Sequence, residues 1–239
     1  MKKVMLMAVL GGSCLVAAPC TSAPLSSYLS TGFTCTMDAF TLQDFFFQAT
    51  ASTGYTPLTA SSLTMTPLIT ARLGGETLGL SITSTGFSVT GSQFVTYDIR
   101  YNVDPPPDII IGMDDDLLTN TPVAPGFVNV VADLCIGGRW SVSSFTGLRI
   151  CGEPGTTTSL NVFHNGTPTG TVQLFDGVRF PGVHILGIDN KITLNANGAS
   201  SQILGLSNST ITTPEPATAG LLLAGFALMA FRRSSRKAV

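Results

Sequence analysis

The sequence is poor in charge: Asp, Glu, Lys and Arg make up 11% of its 239 residues, against about 25% in an average globular chain. The scarcity is uneven. Residues 24–213 hold thirteen acidic and six basic side chains, a net of −7, and the whole-chain value of −2 conceals this because the remaining basic residues sit at the two ends. A body that acidic repels polyanions, so nucleic acid is excluded as an expected partner. Histidine and tryptophan are nearly missing, with His164, His184 and Trp140 the whole complement. Neither histidine is near a cysteine and no Cys-x-x-Cys occurs, so zinc ligation is not expected. No Gly-x-Ser-x-Gly elbow, phosphate loop, dinucleotide fingerprint or heptad is present. The body has two glutamates, Glu76 and Glu153, each beside Gly or Pro, which suits surface loops better than the paired carboxylates of a glycosidase cleft. The expectation is a protein without a cofactor and without enzymatic activity.

Helical periodicity is almost as scarce. Over residues 95–103 the set Val95, Tyr97, Ile99, Tyr101, Val103 alternates with Thr96, Asp98, Arg100, Asn102, which predicts a strand with one face buried and the other wet. Shorter strand-like stretches stand at 78–83, 87–90, 109–113, 127–136, 159–163, 172–175 and 192–196. Gly74-Gly75, Pro105-Pro106-Pro107, Asn165-Gly166, Asp176-Gly177 and Asn197-Gly198 punctuate them as turns. Residues 42–49 read as a helical turn or a buried strand around Phe45, Phe46 and Phe47. With no helices between strands, a parallel sheet is disfavoured. The expected fold is all-β: a single antiparallel β-sandwich over residues 24–206, Ig-like or jelly-roll-like, with no internal repeat or domain boundary.

Candidate sites are few. Asp114, Asp115 and Asp116 form the one dense carboxylate cluster. Their hard oxygens could hold Ca²⁺, but the spacing of a calcium loop is missing and neighbours on a strand point to opposite sides, so a solvated turn is favoured. Trp140 reads as core or, if exposed, as a sugar-stacking platform. His164 is expected in an exposed loop and His184 in a half-buried strand. Asn165-Gly166-Thr167 and Asn208-Ser209-Thr210 match the N-glycosylation pattern, one short enough to arise by chance. Cys35, Cys135 and Cys151 are expected to survive processing, and in an oxidising compartment disulfides persist. Cys135 with Cys151 is the favoured pair because a hairpin between them would close it, leaving Cys35 free or paired elsewhere.

The two ends read as addresses. Lys2 and Lys3 precede an apolar segment at 4–16 and then small residues, the layout of a signal peptide and signal helix, taken here as residues 1–23. The mature chain starts at Pro19, after Val16-Ala17-Ala18, or at Pro24, after Thr21-Ser22-Ala23, and the sequence leaves both open. Signal peptidase and the general secretion machinery are the implied partners. Residues 207–213, rich in Ser, Thr and Asn, read as a flexible stem. Beyond it come Pro214, Glu215 and Pro216, an uncharged run at 217–231 that reads as a transmembrane helix, and a basic foot of Arg232, Arg233, Arg236 and Lys237. As a helix the run covers about 22 Å, short of a hydrocarbon core of about 30 Å, so it would be a weak permanent anchor.

This tripartite tail, at 214–239, resembles the PEP-CTERM sorting signal of Gram-negative bacteria. The resemblance implies recognition by an exosortase that removes the tail. The body, from Ser26-Ser27-Tyr28-Leu29 through the 40–47 aromatic cluster to Cys135-Ile136-Gly137-Gly138 and Cys151, resembles other secreted PEP-CTERM proteins, which adds no active site. Exosortase systems accompany exopolysaccharide production. The resemblance therefore implies an envelope or extracellular-matrix protein, a structural or adhesive component of that layer. The alternative is a carbohydrate-binding or carbohydrate-active protein acting on the same matrix.

Overall fold

In a computed structural model, the described residues are 17–213 apart from 39, 73–74, 105–108, 119–125, 144–145, 147 and 167–170. The apolar segment at 4–16, the Pro105-Pro106-Pro107 turn, Pro214, Glu215, Pro216, the 217–231 run and the basic foot lie outside them.

The described residues are mostly in strands. β1 (Ala18–Pro19), β2 (Ala23–Pro24) and a helical turn, α1 (Leu25–Tyr28), lead into β3 (Thr34–Met37) and β4 (Phe40–Ala51). A short 3₁₀ turn at Ala60–Ser62 precedes β5 (Thr64–Arg72), β6 (Gly75–Thr83), β7 (Ser88–Gly91), β8 (Phe94–Asp104) and β9 (Ile109–Leu118). Then come β10 (Phe127–Ile136), β11 (Trp140–Val142), β12 (Arg149–Cys151), β13 (Thr156–Asn165) and β14 (Val172–Gln173). The described chain closes with β15 (Phe175–Val183), β16 (Leu186–Asn195), β17 (Ala199–Gln202) and β18 (Gly205–Thr213). Among the described residues no helix is long and apolar enough to cross a membrane.

Two large sheets carry the architecture. The first has eight strands in the order β1-β3-β4-β8-β16-β10-β13-β14, and the second six in the order β15-β9-β18-β6-β5-β2. Pairing is antiparallel throughout these ladders except for β1, which runs parallel to β3. Period-two alternation explains the core. Val95, Tyr97, Ile99, Tyr101 and Val103 of β8, with Leu186, Ile188, Ile192 and Leu194 of β16, join Leu80 and Ile82 of β6 and Leu206 of β18 in one apolar cluster. Each large side chain removed from water this way contributes about 1.5–3 kcal/mol. The ring of Phe45 lies stacked 5.7 Å from that of Tyr101 and 5.0 Å from that of Tyr28, so the aromatic cluster of β4 closes over the N-terminal turn. Residues 42–49 are therefore strand, and the irregularity that blurred their pattern is a bulge: the register with β8 shifts between Gln43 and Phe46, and Asp44 adopts a left-handed φ of 57°.

Two expectations need correction. Residues 207–213 are no flexible stem; they belong to β18, which is hydrogen-bonded to β6 on one side and β9 on the other. Their polarity had a different cause, since alternate residues meet a polar patch between the sheets. The outer face of β8 is wet only in part: Thr96 and Asp98 keep some exposure, but Arg100 is 6% and Asn102 1% exposed. A separate piece of chain covers the last two. Residues 17–23, which span the two candidate leader ends, are in contact with the fold: Cys20 is bridged to Cys35, and β1 and β2 pair with the edges of the two sheets.

Candidate functional site

The cover over β8 is the β11–β12 hairpin, and it lies on a row of charge. In register across neighbouring strands stand Ser159, Asp133, Asp189, Arg100 and Phe46. All of them fall on the face opposite the core, since Asp189 alternates with Ile188 and Asn190 along β16 and Asp133 with Ala132 and Leu134 along β10. Lys191 and Asp98 form the next row. The return strand of the hairpin brings Arg149 down onto the acids, one guanidinium nitrogen 2.7 Å from Asp133 and another bonded to Asp189. Its other side lies 4.2 Å from the centre of the Trp140 ring. Trp140 donates from Nε1 to the Asp133 backbone oxygen at 3.1 Å and from its backbone N–H to Asn102 Oδ1 at 2.9 Å. Gly187 makes the approach possible: a Cβ there would stand 2.8 Å from the Trp140 nitrogen.

The disulfide Cys135–Cys151, with Cα atoms 5.4 Å apart, pins this hairpin to the end of β10. The pairing expected from sequence is thus present. It works as a clasp because Cys135 faces outward on β10, on the same side as Asp133, while Cys151 sits beside Arg149 on β12.

Electrostatics follow the burial. Burial and the neighbouring Asp189 carboxylate push Asp98 up to about 7, although Arg100 and Lys191 pull the other way. Burial also works to raise Asp133, but the Ser159 hydroxyl and Arg149 outweigh it and hold that carboxyl below its ordinary range. Asp98 Oδ1 and Asp189 Oδ1 are both buried without a hydrogen-bond partner. Asp189 is fully enclosed. Such an arrangement holds a lid by charge, with Asp189 enclosed beneath it and the Asp98 and Asp133 side chains 22% and 18% exposed.

The triple aspartate lies elsewhere, inside β9 and not on a turn. Alternation separates its members as expected for a strand. Asp114 pairs with Arg179 of β15 at 3.1 Å, while Asp115 turns inward and accepts from Asn208 Nδ2 at 2.8 Å. Asn208 Oδ1 in turn accepts from Tyr101 and from Asn190 of the opposite sheet, at 3.1 and 2.7 Å. This network bridges the two sheets. Burial, with Asp116 and Asp176 nearby, pushes Asp115 up to about 7 against the Asn208 bond that lowers it. Among the described residues, no three His, Cys, Asp or Glu side chains are placed to hold a metal ion. His164 lies in β13 opposite Val128, not in a loop, and His184 is exposed at a bend after β15, not in a strand. Asn208 is 1% exposed, so its glycosylation pattern is sealed in the core. Trp140, at 6% exposure, is no sugar platform. A hydroxyl-lined groove of about 370 Å³ opens between Thr64, Thr83, Ser84 and Leu204, with no aromatic ring or charge along it among the described residues.

Beyond this body, β18 runs straight into the tail: Thr212 and Thr213 still pair with Ile110 and Ile109 of β9, and Pro214 follows. From Thr212 onward the chain also matches a known family. Residues 212–237 match the PEP-CTERM protein-sorting motif. The chain carries that sorting signal. A PEP-CTERM motif implies an exosortase as the processing partner and export to the cell envelope or surface. No curated protein and no solved structure matches the chain. The motif overlaps the last two residues of an inner strand, so the body and its PEP-CTERM tail meet with no spacer.

Sequence reasoning missed the charge row and the Cys20–Cys35 bridge. The row was open to register arguments only after strand neighbours were known, because Asp133, Asp189 and Arg100 stand far apart along the chain. The bridge was hidden because Cys20 had been given to the leader. Its signal was parity, since three surviving cysteines leave one without a partner.

Proposed function

We propose that this chain is an exported, non-enzymatic β-sandwich protein of the cell envelope or extracellular matrix, a structural or adhesive component of the exopolysaccharide layer. The observation that carries the proposal is the PEP-CTERM motif at 212–237, continuous with a strand of the folded body. Supporting it is the manner in which charge is used. Asp189 is neutralised by Arg149 and Arg100 beneath the hairpin, and Asp114 by the half-exposed Arg179, an arrangement whose rigidity suits a protein working outside the cell. Two disulfides clasp the body, and bonds of this kind persist in oxidising compartments.

The address is tested by one substitution. Glu215→Ala should leave full-length chain in the inner membrane of a host that has the exosortase, while the unaltered protein is found shortened and released or surface-bound. An unaltered protein that stays membrane-embedded with Val239 attached would end the sorting interpretation. The matrix role is tested by binding: the exported body should be retained on the host's exopolysaccharide and should release no sugar from it. Steady release of reducing ends would replace the structural reading with an enzymatic one.

A further inference from the structure

We propose that the export leader is cut on the N-terminal side of Cys20, at Val16-Ala17-Ala18, so that the mature protein begins at Pro19 and keeps Cys20; this rests on the export reading above. The argument begins with the bridge. Cys20 and Cys35 are joined with Cα atoms 4.9 Å apart, and Cys35 is buried on β3. A cut after Ala23 would remove Cys20 and leave Cys35 as a lone buried thiol among three cysteines. A cut after Ala18 discards Cys14 with the leader and leaves four cysteines, all of them paired. Parity and geometry select the same site.

The residues between the two cut sites are also part of the fold. Cys20 donates its backbone N–H to Thr36 O at 2.8 Å. Tyr28, 2% exposed, donates its hydroxyl to Thr21 O. Ser22 meets Thr66 through their hydroxyls at 3.1 Å, and Ala23 pairs with Met65. Residues 20–24 therefore strap the edge of the first sheet, at β3, to the edge of the second, at β5. A cut after Ala23 would take the strap away and leave the buried Tyr28 hydroxyl without its acceptor, a cost a folded domain rarely bears. A cut after Ala18 gives up one position of the β1 pairing and the contact of Thr36 with Ala17.

The chemistry is amide hydrolysis by the leader-removing peptidase. Water adds across the Ala18–Pro19 bond, the leader departs with the Ala18 carboxylate, and Pro19 keeps the new secondary amine. Val16 and Ala18 present the small side chains at the third and first positions before the cut that such enzymes accept.

The test is intact mass and N-terminal sequence of the exported protein, run unreduced and alkylated. A chain beginning at Pro19 with a Cys20–Cys35 peptide supports the inference, and one beginning at residue 17 or 18 overturns the assigned bond. A chain beginning at Pro24 with alkylated Cys35 overturns it while leaving export intact, and a chain that keeps Met1 in every fraction overturns the export reading itself. The Cys20→Ser variant supplies a second readout independent of folding yield. Its mature mass differs from that of the unaltered protein, and Cys35 becomes alkylated, only if residue 20 is retained; an identical mature mass would sink the proposal.

Discussion

The guanidinium of Arg149 lies 4.2 Å from the centre of the Trp140 ring, and its nitrogens reach down to Asp133 and Asp189. One side chain therefore joins the hairpin to the sheet through both an aromatic face and two carboxylates. Arg149→Ala should cost about 3 kcal/mol, the low end of the range for stripping a partner from a buried ion pair, because Asp189 would be left enclosed with Arg100, 3.6 Å away, as its remaining cation. Denaturant titration checks this through a lower midpoint at unchanged slope. Arg149→Lys should recover part of the loss, having the charge but not the planar fork. A loss below about 1 kcal/mol for Arg149→Ala would mean that the disulfide and the Trp140 hydrogen bonds hold the hairpin without it.

The disulfide has its own share. Cys135 and Cys151 are 16 residues apart, and a loop near that length contributes about 3 kcal/mol by the chain-entropy estimate. The double serine variant should lose that amount and should show Trp140 fluorescence shifted to the red, as the indole gains water when the hairpin loosens. Unshifted fluorescence with full loss of stability would place the effect in the unfolded chain only.

Stability should also depend on pH through Asp115. Its folded pKa, about 7, stands above the ordinary unfolded value of about 3.9. The folded state thus binds the proton more tightly, so this contribution is complete below about pH 4 and is lost as pH rises through about 7. Asp98 acts in the same direction. Asp115→Asn should therefore raise the melting temperature at pH 8 and change it little at pH 4. The difference between variant and unaltered protein, followed from pH 4 to 8, must grow with pH; a flat difference would show that Asp115 is ionised in the fold throughout.

Chelation offers a check on the triple aspartate. Arg179 already neutralises Asp114, and Asp115 faces the core, so the carboxylates do not converge on a cation. A ligand that binds only the folded state raises its stability by mass action. Excess chelator should leave the melting temperature of the exported protein unchanged, and a fall of several degrees would reinstate calcium.

The parts of this fold that were legible share one property: they are local. The alternation of β8 and the turn signal at Asn197-Gly198 stand in the sequence as written, and Cys135 and Cys151 are close enough for a hairpin to be imagined between them. What escaped depends on neighbours far away in sequence. Arg100 and Asn102 read as solvated because their pattern is that of a half-exposed strand; nothing near them says that residues 140–151 fold over it. The polar run in β18 read as a stem for the same reason, because Asn208 is satisfied by Tyr101, Asn190 and Asp115. Gly187 and Trp140, separated by 47 positions, are legible as a pair only when the sheet is assembled.

The junction of body and tail yields the last prediction. β18 lies between β6 and β9, and its residues Leu206, Asn208 and Thr210 are buried. The chain just before the PEP-CTERM motif is thus an inner strand whose loss would expose two ladders of backbone donors and acceptors and leave Asp115 without Asn208. A chain ended at Thr213 keeps all of this, so it should unfold cooperatively at nearly the temperature of the naturally processed protein. A chain ended at Leu204 should not fold to a stable monomer, and its bared edges should make it aggregate. Circular dichroism melts and sedimentation of the two truncations, each with its leader exchanged for a cytoplasm-independent export signal, measure the difference. The same logic limits processing: the exosortase must cut after Thr213 if the released body is to stay folded, and the C-terminal residue of the mature protein, read by mass, should lie at or beyond that position. A mature chain ending inside 205–211, still folded and secreted, would refute the assignment of β18 as an inner strand.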